Sequence, residues 1–394
     1  MAGNTNVPPL ERILIVKLAD LGDALLTTPA IQALHQAFPA ARIDALTTPA
    51  GAAIYELVPD IDRIIRFPKE LFDRPTGLVR PWRTASVAWL AGRLLASRYG
   101  AVIFFHHLTT AFGVAKVRAL AIATRAPIRA GLDNGRGTFL THRATDYGFG
   151  IRTEWQYYLD VAGTVGAETA DTRPSVTIPA KAAASAARLL DDPPAGKPLI
   201  VIHPSVGWYS QARAWPAERF AGVAWRLRQA HGARIVLVGT PDARDAAETI
   251  RASIEATDLT GRTSVAELAA ILGQADLVIG ADSGVAHLAA AVEAPLLTIF
   301  GPSNHDAWRP YGAAVFTTGD DAIPDASALV IRSGIACSPC FYTGFSLGRP
   351  EGCALRTCLD LVSVDEVVRV ARHMLATKVS PRNPSRRTGT SKAR

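Results

Sequence analysis

The chain has 394 residues, of which 48% are apolar and 20% charged, the composition of a globular protein. At this length a single hydrophobic core no longer grows, so two domains are expected. No stretch approaches the roughly 20 uninterrupted apolar residues of a membrane span. The first nine residues also lack the apolar core of a signal peptide, and we therefore predict a cytoplasmic location.

The net charge of +7 comes mainly from the end of the chain. Residues 378–394 hold six Lys or Arg side chains and no acidic one, so the remaining body is nearly neutral. Their Pro-, Ser- and Arg-rich composition predicts that residues 377–394 form a disordered tail. This tail either keeps the protein in solution or binds anionic lipid headgroups at the inner membrane surface. The body has no basic stripe interleaved with aromatic residues, so nucleic acid is not an expected partner.

The first half of the sequence alternates strand patterns with helical ones, which is typical of a parallel α/β sheet. Its opening run, residues 12–17, is continuously apolar between one basic residue at each end and suits a strand buried on both faces. A helix is expected over residues 23–38. Further strands are expected over 43–46, 63–67, 101–105 and 128–130. These elements predict an N-terminal Rossmann-like domain over residues 1–177.

A stretch rich in Ala and Pro, residues 178–198, predicts an interdomain linker with one short helix before its prolines. A second apolar run at residues 199–203 restarts the strand–helix alternation. Further strands are expected at 234–238, 277–279 and 296–300. We therefore predict a C-terminal Rossmann-like domain over residues 199–376.

Two turns after predicted strands are candidate ligand sites, because ligands of open α/β sheets bind beyond the carboxyl ends of the strands. The turn after residues 277–279 carries Asp282, Ser283 and Gly284, with His287 one helical turn later. Free backbone N–H groups and the helix dipole would make this turn a phosphate cradle. The alternative is an ordinary helix cap, with His287 exposed by chance.

The turn after the first strand carries Asp20, Gly22 and Asp23. Asp23 lies at a predicted helix start, where it either caps the helix or removes a proton from an attacking hydroxyl as a general base. Asp20 competes for either role. His106 and His107 end the strand at residues 101–105, and adjacent strand residues point to opposite faces, so a shared metal ion is not expected.

All four cysteines lie close together near the end of the sequence, at Cys337, Cys340, Cys353 and Cys358. This spacing is typical of a tetrahedral thiolate site for structural zinc or iron. The alternative is four reduced thiols without a ligand, since a cytoplasmic location disfavours disulfides. A catalytic thiol is not expected.

An ordered set of short motifs resembles glycosyltransferase family 9, the heptosyltransferases of lipopolysaccharide inner-core synthesis. In the first half the resemblance rests on Leu21-Gly22-Asp23 and on Thr27-Thr28-Pro29-Ala30 after the opening strand. In the second half it rests on His203-Pro204, Arg213-Ala214-Trp215-Pro216, Val238-Gly239-Thr240-Pro241, Gly280-Ala281-Asp282-Ser283-Gly284 and Phe300-Gly301-Pro302-Ser303. Each motif is weak alone, but together they follow one order over residues 12–370.

The resemblance implies a GT-B fold, in which two Rossmann-like domains with parallel sheets face a central cleft. The C-terminal domain would hold a nucleotide-sugar donor and the N-terminal domain a glycolipid acceptor. Asp23 matches the family's catalytic base. The residues implied to bind the donor are Thr240, Asp282, Ser283, Gly284 and His287.

Other positions follow the family less closely. Arg213 replaces a lysine usual before the Trp-Pro pair, and it would neutralise the departing diphosphate as a catalytic residue. Asp242 and Asp245 are candidates for the acidic residue that holds the donor ribose. The candidate acceptor contacts are Asp20, Gly22, His106 and His107.

The implied reaction is an inverting transfer of heptose from ADP-heptose to a hydroxyl of a lipopolysaccharide inner-core acceptor, with no cofactor required. Asp60-Ile61-Asp62 matches the Asp-x-Asp pattern of metal-dependent glycosyltransferases, but its place before a strand favours a loop role. The alternatives are a GT-B sugar-nucleotide epimerase, a protein O-heptosyltransferase and a non-catalytic nucleotide-sugar binding protein.

Overall fold

The computed structural model describes residues 10–69, 81–191, 196–207 and 210–377. The chain divides into two compact units, the first with residues 1–177 and 343–347 and the second with residues 178–342 and 348–394. Nearly all of the predicted tail, and residues 192–195 of the predicted linker, lie outside the described residues. No helix in the described ranges is both long and apolar enough to cross a bilayer.

The first unit is built around a sheet of six parallel strands. They are β1 (Arg12–Lys17), β2 (Arg42–Thr47), β3 (Arg63–Arg66), β4 (Ala101–Phe104), β5 (Ile128–Asp133) and β6 (His142–Thr145). Their order across the sheet is β3-β2-β1-β4-β5-β6, so the winding direction reverses between β1 and β4. Such a reversal opens a crevice beyond the carboxyl ends of the two strands, where ligands of doubly wound sheets bind.

The position of β1 at the centre follows from its sequence. Residues 13–16 are fully buried, and the strand pairs with β2 on one edge and β4 on the other. Strands covered on both faces require continuous apolar runs of this kind. The predicted strands at residues 12–17, 43–46, 63–67 and 101–105 are confirmed to within one residue at each end, whereas β6 was not predicted.

Helices connect the strands of the first unit. They are α1 (Leu21–Leu25), α2 (Thr28–Ala37), α3 (Pro49–Tyr55), α4 (Pro81–Ala96), α5 (Ala111–Thr124) and α6 (Glu154–Gly163). The prediction of one helix over residues 23–38 is wrong, because the chain breaks between α1 and α2. Pro29 has no N–H to donate to the carbonyl of Leu25. The hydroxyl of Thr28 donates to that carbonyl instead, at 2.9 Å.

The second unit contains a sheet of seven parallel strands. They are β7 (Leu199–His203), β8 (Arg234–Leu237), β9 (Thr257–Asp258), β10 (Leu277–Ala281), β11 (Leu296–Ile299), β12 (Ala314–Thr317) and β13 (Ala328–Arg332). Their order is β12-β13-β11-β10-β7-β8-β9, with the reversal between β7 and β10. The predicted strands β7, β8, β10 and β11 are confirmed, and β9, β12 and β13 were not predicted.

The helices of the second unit cover this sheet. They are α7 (Ala180–Leu190), α8 (Ala217–His231), α9 (Arg244–Arg251), α10 (Val265–Gln274), α11 (Gly284–Ala291), α12 (His305–Trp308), α13 (Thr357–Asp360) and α14 (Val364–Thr377). The short helix predicted before the linker prolines is confirmed as α7. Helix α8 packs against α9 and α14, and its Phe220 lies in the core beside Trp215. Each sheet therefore presents one reversal point at which side chains can form a site.

Candidate active site

Lys17 and Asp23 form an ion pair at the reversal point of the first sheet. Lys17 ends β1, and α1 begins four residues later, so Asp23 lies in the first turn of that helix. The ammonium Nζ of Lys17 lies 3.0 Å from Oδ1 of Asp23, with 5% of the Lys17 side chain exposed against 26% for Asp23. Asp20 occupies the N-cap position, but its side chain makes no capping hydrogen bond. The buried ammonium of Lys17 thus holds the Asp23 carboxylate, which stays partly exposed.

The same ammonium connects Asp23 to helix α6. Lys17 Nζ donates to the hydroxyl of Tyr158 at 2.6 Å, and that hydroxyl donates to Oε2 of Glu154 at 2.8 Å. Glu154 and Tyr158 are four residues apart and therefore lie on one side of α6. Both are buried, and burial raises the pKa of Tyr158 well above its usual value, with Glu154 and Asp23 adding to the shift.

His107 continues this series of contacts. Its Nε2 lies 3.0 Å from Oε1 of Glu154, and its Nδ1 lies 3.0 Å from Oδ2 of Asp146. Burial alone would lower the pKa of His107, but the two carboxylates outweigh it and raise the pKa to about 9. The imidazole is therefore protonated at neutral pH. We call the connected set Asp23, Lys17, Tyr158, Glu154, His107 and Asp146 the buried charge chain.

His106 and His107 make separate contacts, as their adjacent positions predicted. His106 Nε2 accepts a hydrogen bond from the backbone N–H of Leu18 at 3.0 Å, which fixes the turn after β1. Burial, with Lys17 nearby, lowers the pKa of His106 well below its usual value, so this imidazole is neutral. His106 thus contacts the turn that carries Asp23 directly, whereas His107 is connected to it through Glu154, Tyr158 and Lys17.

Ser283, at the reversal point of the second sheet, stands at the N-cap of α11 after β10. Its hydroxyl lies 3.2 Å from Nδ1 of His203, the last residue of the adjacent strand β7. Ser205 Oγ lies 3.3 Å from the other ring nitrogen of His203. Burial lowers the pKa of His203 to about 4, although Asp242 opposes the shift, so this imidazole is neutral at neutral pH.

Arg213 and Asp282 are brought together beside this helix start. Arg213 ends a short 3₁₀ turn, and its guanidinium Nη1 lies 3.5 Å from Oδ2 of Asp282. Both side chains are largely buried.

The other predicted donor residues lie near the same strand ends. Thr240 follows β8 and its hydroxyl donates to the carboxylate of Asp242. His287 is buried one turn into α11, so the alternative in which it was exposed by chance is wrong. Asp62, from the Asp-x-Asp pattern, accepts a hydrogen bond from the backbone N–H of Ile43 at 2.8 Å, which is a structural role.

The four cysteines line one cavity of about 120 Å³ in the second unit, together with Ala212, Pro302, Gly352, Leu355, Arg356 and Thr357. Burial raises the pKa of Cys358 to about 11, with the three other cysteines adding to the shift. Cys353 Sγ accepts a hydrogen bond from the backbone N–H of Arg356 at 3.3 Å. The donor set suits zinc or iron, but across the described ranges no three ligating side chains already stand where they could hold an ion.

Comparison with known proteins decides the family. The family model described as "Glycosyltransferase family 9 (heptosyltransferase)" matches residues 89–329, which is more than half of the chain. The chain belongs to glycosyltransferase family 9. The resemblance predicted from the ordered motifs is thereby confirmed, and this family 9 protein is a glycosyltransferase.

Individual relatives agree with the assignment. Lipopolysaccharide heptosyltransferase 3 of Escherichia coli strain K12 is 30% identical over 302 residues, which cover 74% of this chain and 82% of the relative. A solved family 9 structure from Veillonella parvula has a TM-score of 0.70 at 22% identity, covering 95% of this chain and all of the other. The E. coli heptosyltransferase WaaC with ADP has a TM-score of 0.65 at 19% identity, covering 92% of this chain and 99% of the other. These likenesses confirm the predicted α/β fold of the GT-B class.

Sequence reasoning missed several members of both sites in this family 9 chain. Lys17 was treated only as the end of a strand, although a charge closing an otherwise apolar run is a signal for a role at the carboxyl edge. The i, i+4 pair Glu154 and Tyr158 carried a weaker signal. His203 was noted as part of a motif but was given no contact with Ser283. No local pattern marked Asp146, because it follows β6 whereas its partner His107 follows β4.

Proposed function

We propose that the enzyme transfers heptose from ADP-heptose to a hydroxyl of a lipopolysaccharide inner-core acceptor. Membership of family 9 and the 30% identity to a lipopolysaccharide heptosyltransferase support this substrate class. The observation that carries the proposal is the accessible Asp23 carboxylate, which the buried Lys17 holds at the reversal point of the first sheet. A fixed carboxylate at such an edge suits proton removal from a substrate hydroxyl.

The reaction we propose is a single displacement with inversion. Asp23 accepts the proton of the acceptor hydroxyl while the oxygen of that hydroxyl forms a bond to the anomeric carbon. The bond from that carbon to the diphosphate oxygen breaks on the opposite face, and the electron pair leaves with the diphosphate. Because Asp23 takes up one proton and the diphosphate gains the negative charge, the step balances without a cofactor.

The second cluster would receive the departing diphosphate. The free N–H groups at the start of α11, the Ser283 hydroxyl and Arg213 all favour negative charge. Gly284 leaves the backbone open to close approach by a phosphate. His287 lies one turn further along the same helix. Neutral His203 orients Ser283, which makes it a positioning residue in this scheme.

The donor ribose and the acceptor require further contacts. Thr240, with Asp242 beside it, is the candidate for the ribose, and Asp245 at the start of α9 is the alternative. On the acceptor side, Asp20 and Gly22 in the turn before Asp23 are the candidates. We assign His106 and His107 to positioning of that turn because both are engaged by protein groups.

Donor binding is tested by thermal stabilisation of the purified protein with ADP, UDP, GDP and their sugar conjugates. We expect stabilisation by ADP and ADP-heptose and not by the other nucleotides, with the effect lost in Ser283→Ala combined with Arg213→Ala. Stabilisation by UDP or GDP instead would indicate that the donor sugar is carried by a different nucleotide. No shift with any nucleotide would overturn the donor assignment.

The alternative activities are separated by their products. An epimerase would convert the donor sugar without any acceptor, and a non-catalytic binding protein would leave ADP-heptose intact. A protein O-heptosyltransferase would add the sugar to a polypeptide and not to lipopolysaccharide. We expect acceptor-dependent release of ADP, measured by chromatography, with a lipopolysaccharide acceptor and not with peptides.

We also propose that catalysis needs no divalent ion and that the cysteine cavity holds a structural zinc or iron ion. Four thiols around one cavity form a donor set for either metal once the side chains close on it. We expect no more than about a two-fold change in rate when Mg²⁺ or Mn²⁺ is added to desalted enzyme.

Elemental analysis tests the structural ion. We expect close to one zinc or iron per chain and a lower melting temperature in Cys340→Ser, with no comparable change for an exposed serine variant such as Ser253→Ala. Metal-free protein in which all four thiols react with a thiol reagent would contradict the structural ion. That result would leave the donor and base assignments unaffected.

A further inference from the structure

The outer sides of α4 and α5 in the first unit are apolar where a surface helix is normally polar. Among the side chains of α4 that the structure describes, residues 85–96, the exposed ones are at positions 85–89, 92, 95 and 96, and none of these is charged. Residues 85, 88, 89, 92, 95 and 96 recur at helical spacing and so form one stripe. Trp89 within this stripe is 61% exposed.

Helix α5 packs against α4, and of its exposed positions only Arg118 is charged. Its fourteen residues include two charged side chains, yet only Ala121 and Thr124 are buried. The exposed positions are 111, 115, 118, 119 and 122, and Ile122 is 65% exposed. A helix this apolar is normally found in a core. Two adjacent helices with apolar outer sides indicate an interaction surface.

The charge of this region is entirely of one sign. Between Asp73 and Asp133 the chain contains nine Lys or Arg residues and no acidic one. The rest of the chain therefore carries a net charge of −2, since the total is +7. The guanidinium of Arg93 lies over the ring of Trp89 at 5.1 Å, and the ammonium of Lys116 lies over the ring of Phe112 at 4.9 Å. Positive charge is thus placed beside the exposed ring of Trp89 and the half-buried ring of Phe112.

We propose that this surface, formed by the exposed residues of α4 and α5 and called here the α4–α5 surface, docks on an anionic lipid bilayer. Trp89, Leu95 and Ile122 would enter the boundary between headgroups and acyl chains, and the basic side chains would contact lipid phosphates. Helices of 16 and 14 residues are too short to span a bilayer, so they would lie along its surface. The proposal depends on neither the sugar nor the nucleotide.

Other occupants fit the surface less well. A second copy of this chain would bring the same positive groups together with no acidic partner, which opposes a symmetric dimer. Nucleic acid would satisfy the basic groups but would leave the apolar stripe exposed. An anionic bilayer offers both a negative surface and an apolar layer immediately beneath it.

Vesicle flotation of the full chain tests the proposal. The vesicles are phosphatidylcholine alone or phosphatidylcholine with phosphatidylglycerol, and the variants are Trp89→Ser/Ile122→Ser and Arg93→Gln/Lys116→Gln. The matched control is Trp225→Ser/Leu361→Ser, which removes two exposed apolar side chains from the second unit. All proteins keep the basic tail, so its contribution cancels in the comparison.

We expect binding to the anionic vesicles that falls at least about ten-fold in both α4–α5 variants and stays at the parent level in the control. Melting temperatures should be unchanged in the Trp89/Ile122 variant and in the control, since those four side chains are exposed. Parent-like binding by the Trp89/Ile122 variant, or no binding by the parent, would overturn the proposal. A parent dimer that becomes monomeric in these variants would also overturn it, in favour of self-association. ADP-heptose turnover with a detergent-dispersed acceptor separates this result from failure of the proposed function.

Discussion

The ammonium of Lys17 lies 3.0 Å from the carboxylate of Asp23 and 2.6 Å from the hydroxyl of Tyr158. One buried cation therefore connects the candidate base to helix α6 and, through Glu154, to His107. Removing a single partner from such a network leaves the remaining charges uncompensated. Single substitutions therefore measure how much the network contributes to the free energy of unfolding.

Lys17→Met should disturb both the turn and catalysis. Loss of the ammonium leaves Asp23 without its anchor and Glu154 with one cation fewer, so we expect a loss of roughly 2–4 kcal/mol in unfolding free energy. We also expect kcat to fall by about 100-fold while nucleotide affinity, measured by calorimetry, changes little. The matched control is Lys181→Met on the exposed side of α7. Parent-like kcat in Lys17→Met would contradict a positioning role.

The stability of the enzyme should depend on the protonation of His107. Because its pKa of about 9 in the folded state exceeds the usual value of 6.5, the folded state binds the proton more tightly. This contribution is fully present below pH 6.5 and is lost as pH rises through 9, with a total on the order of 3 kcal/mol. Urea unfolding from pH 6 to pH 10 measures it. The alkaline loss should be absent in His107→Gln, and an equal loss in both proteins would contradict this origin.

Protonation of His203 should lower the stability of the enzyme at acidic pH. Its pKa of about 4 lies below the usual 6.5, so the unfolded chain binds the proton more tightly. Stability should therefore fall as pH decreases from 6.5 toward 4, by up to roughly 3 kcal/mol. The difference in unfolding free energy between parent and His203→Gln across this range isolates the effect from the carboxylates. A pH-independent difference would exclude a buried neutral imidazole.

Arg213 should contribute to nucleotide binding by its charge and its geometry. Arg213→Ala is expected to weaken ADP binding by about 10- to 100-fold, and Arg213→Lys by less, since the charge remains but the planar donor pair is lost. The control is Arg219→Ala in the following helix. Arg219 donates to the carbonyls of Leu359, Asp360 and Val362, so its loss should lower stability without changing ADP affinity. Equal effects of both variants on affinity would contradict the donor-site assignment.

Much of the fold was predictable because buried parallel strands have continuous apolar sequences. The runs at residues 12–17 and 199–203 correctly predicted β1 and β7, which lie in the interior of the two sheets. The weaker strands β6 and β9 carry polar or very short sequences, so pairing with a neighbour, and not composition, makes them strands. The break between α1 and α2 was readable in principle from Pro29, but the Thr28 hydroxyl bond that completes it depends on three-dimensional placement.

The candidate site was only partly predictable. Asp23 and the loop at residues 282–284 follow strands, and local motifs therefore identified them. The buried charge chain joins residues up to 141 positions apart, and no local pattern indicates which carboxylate will meet which cation. The net charge of the body is close to zero, and a total charge does not show how charges are distributed. It therefore gave no indication that residues 74–132 carry basic side chains and no acidic one.

Transfer itself tests the central claim most directly. The purified enzyme is incubated with ADP-heptose and a lipopolysaccharide acceptor truncated in its inner core, and the acceptor is analysed by mass spectrometry. We predict the gain of one heptosyl unit with equal release of ADP, and a rate that falls about 1,000-fold in Asp23→Asn but stays near the parent in Asp171→Asn, which changes an exposed aspartate of the first unit. An unchanged acceptor with intact ADP-heptose, or an Asp23→Asn protein as active as the parent, would contradict the account.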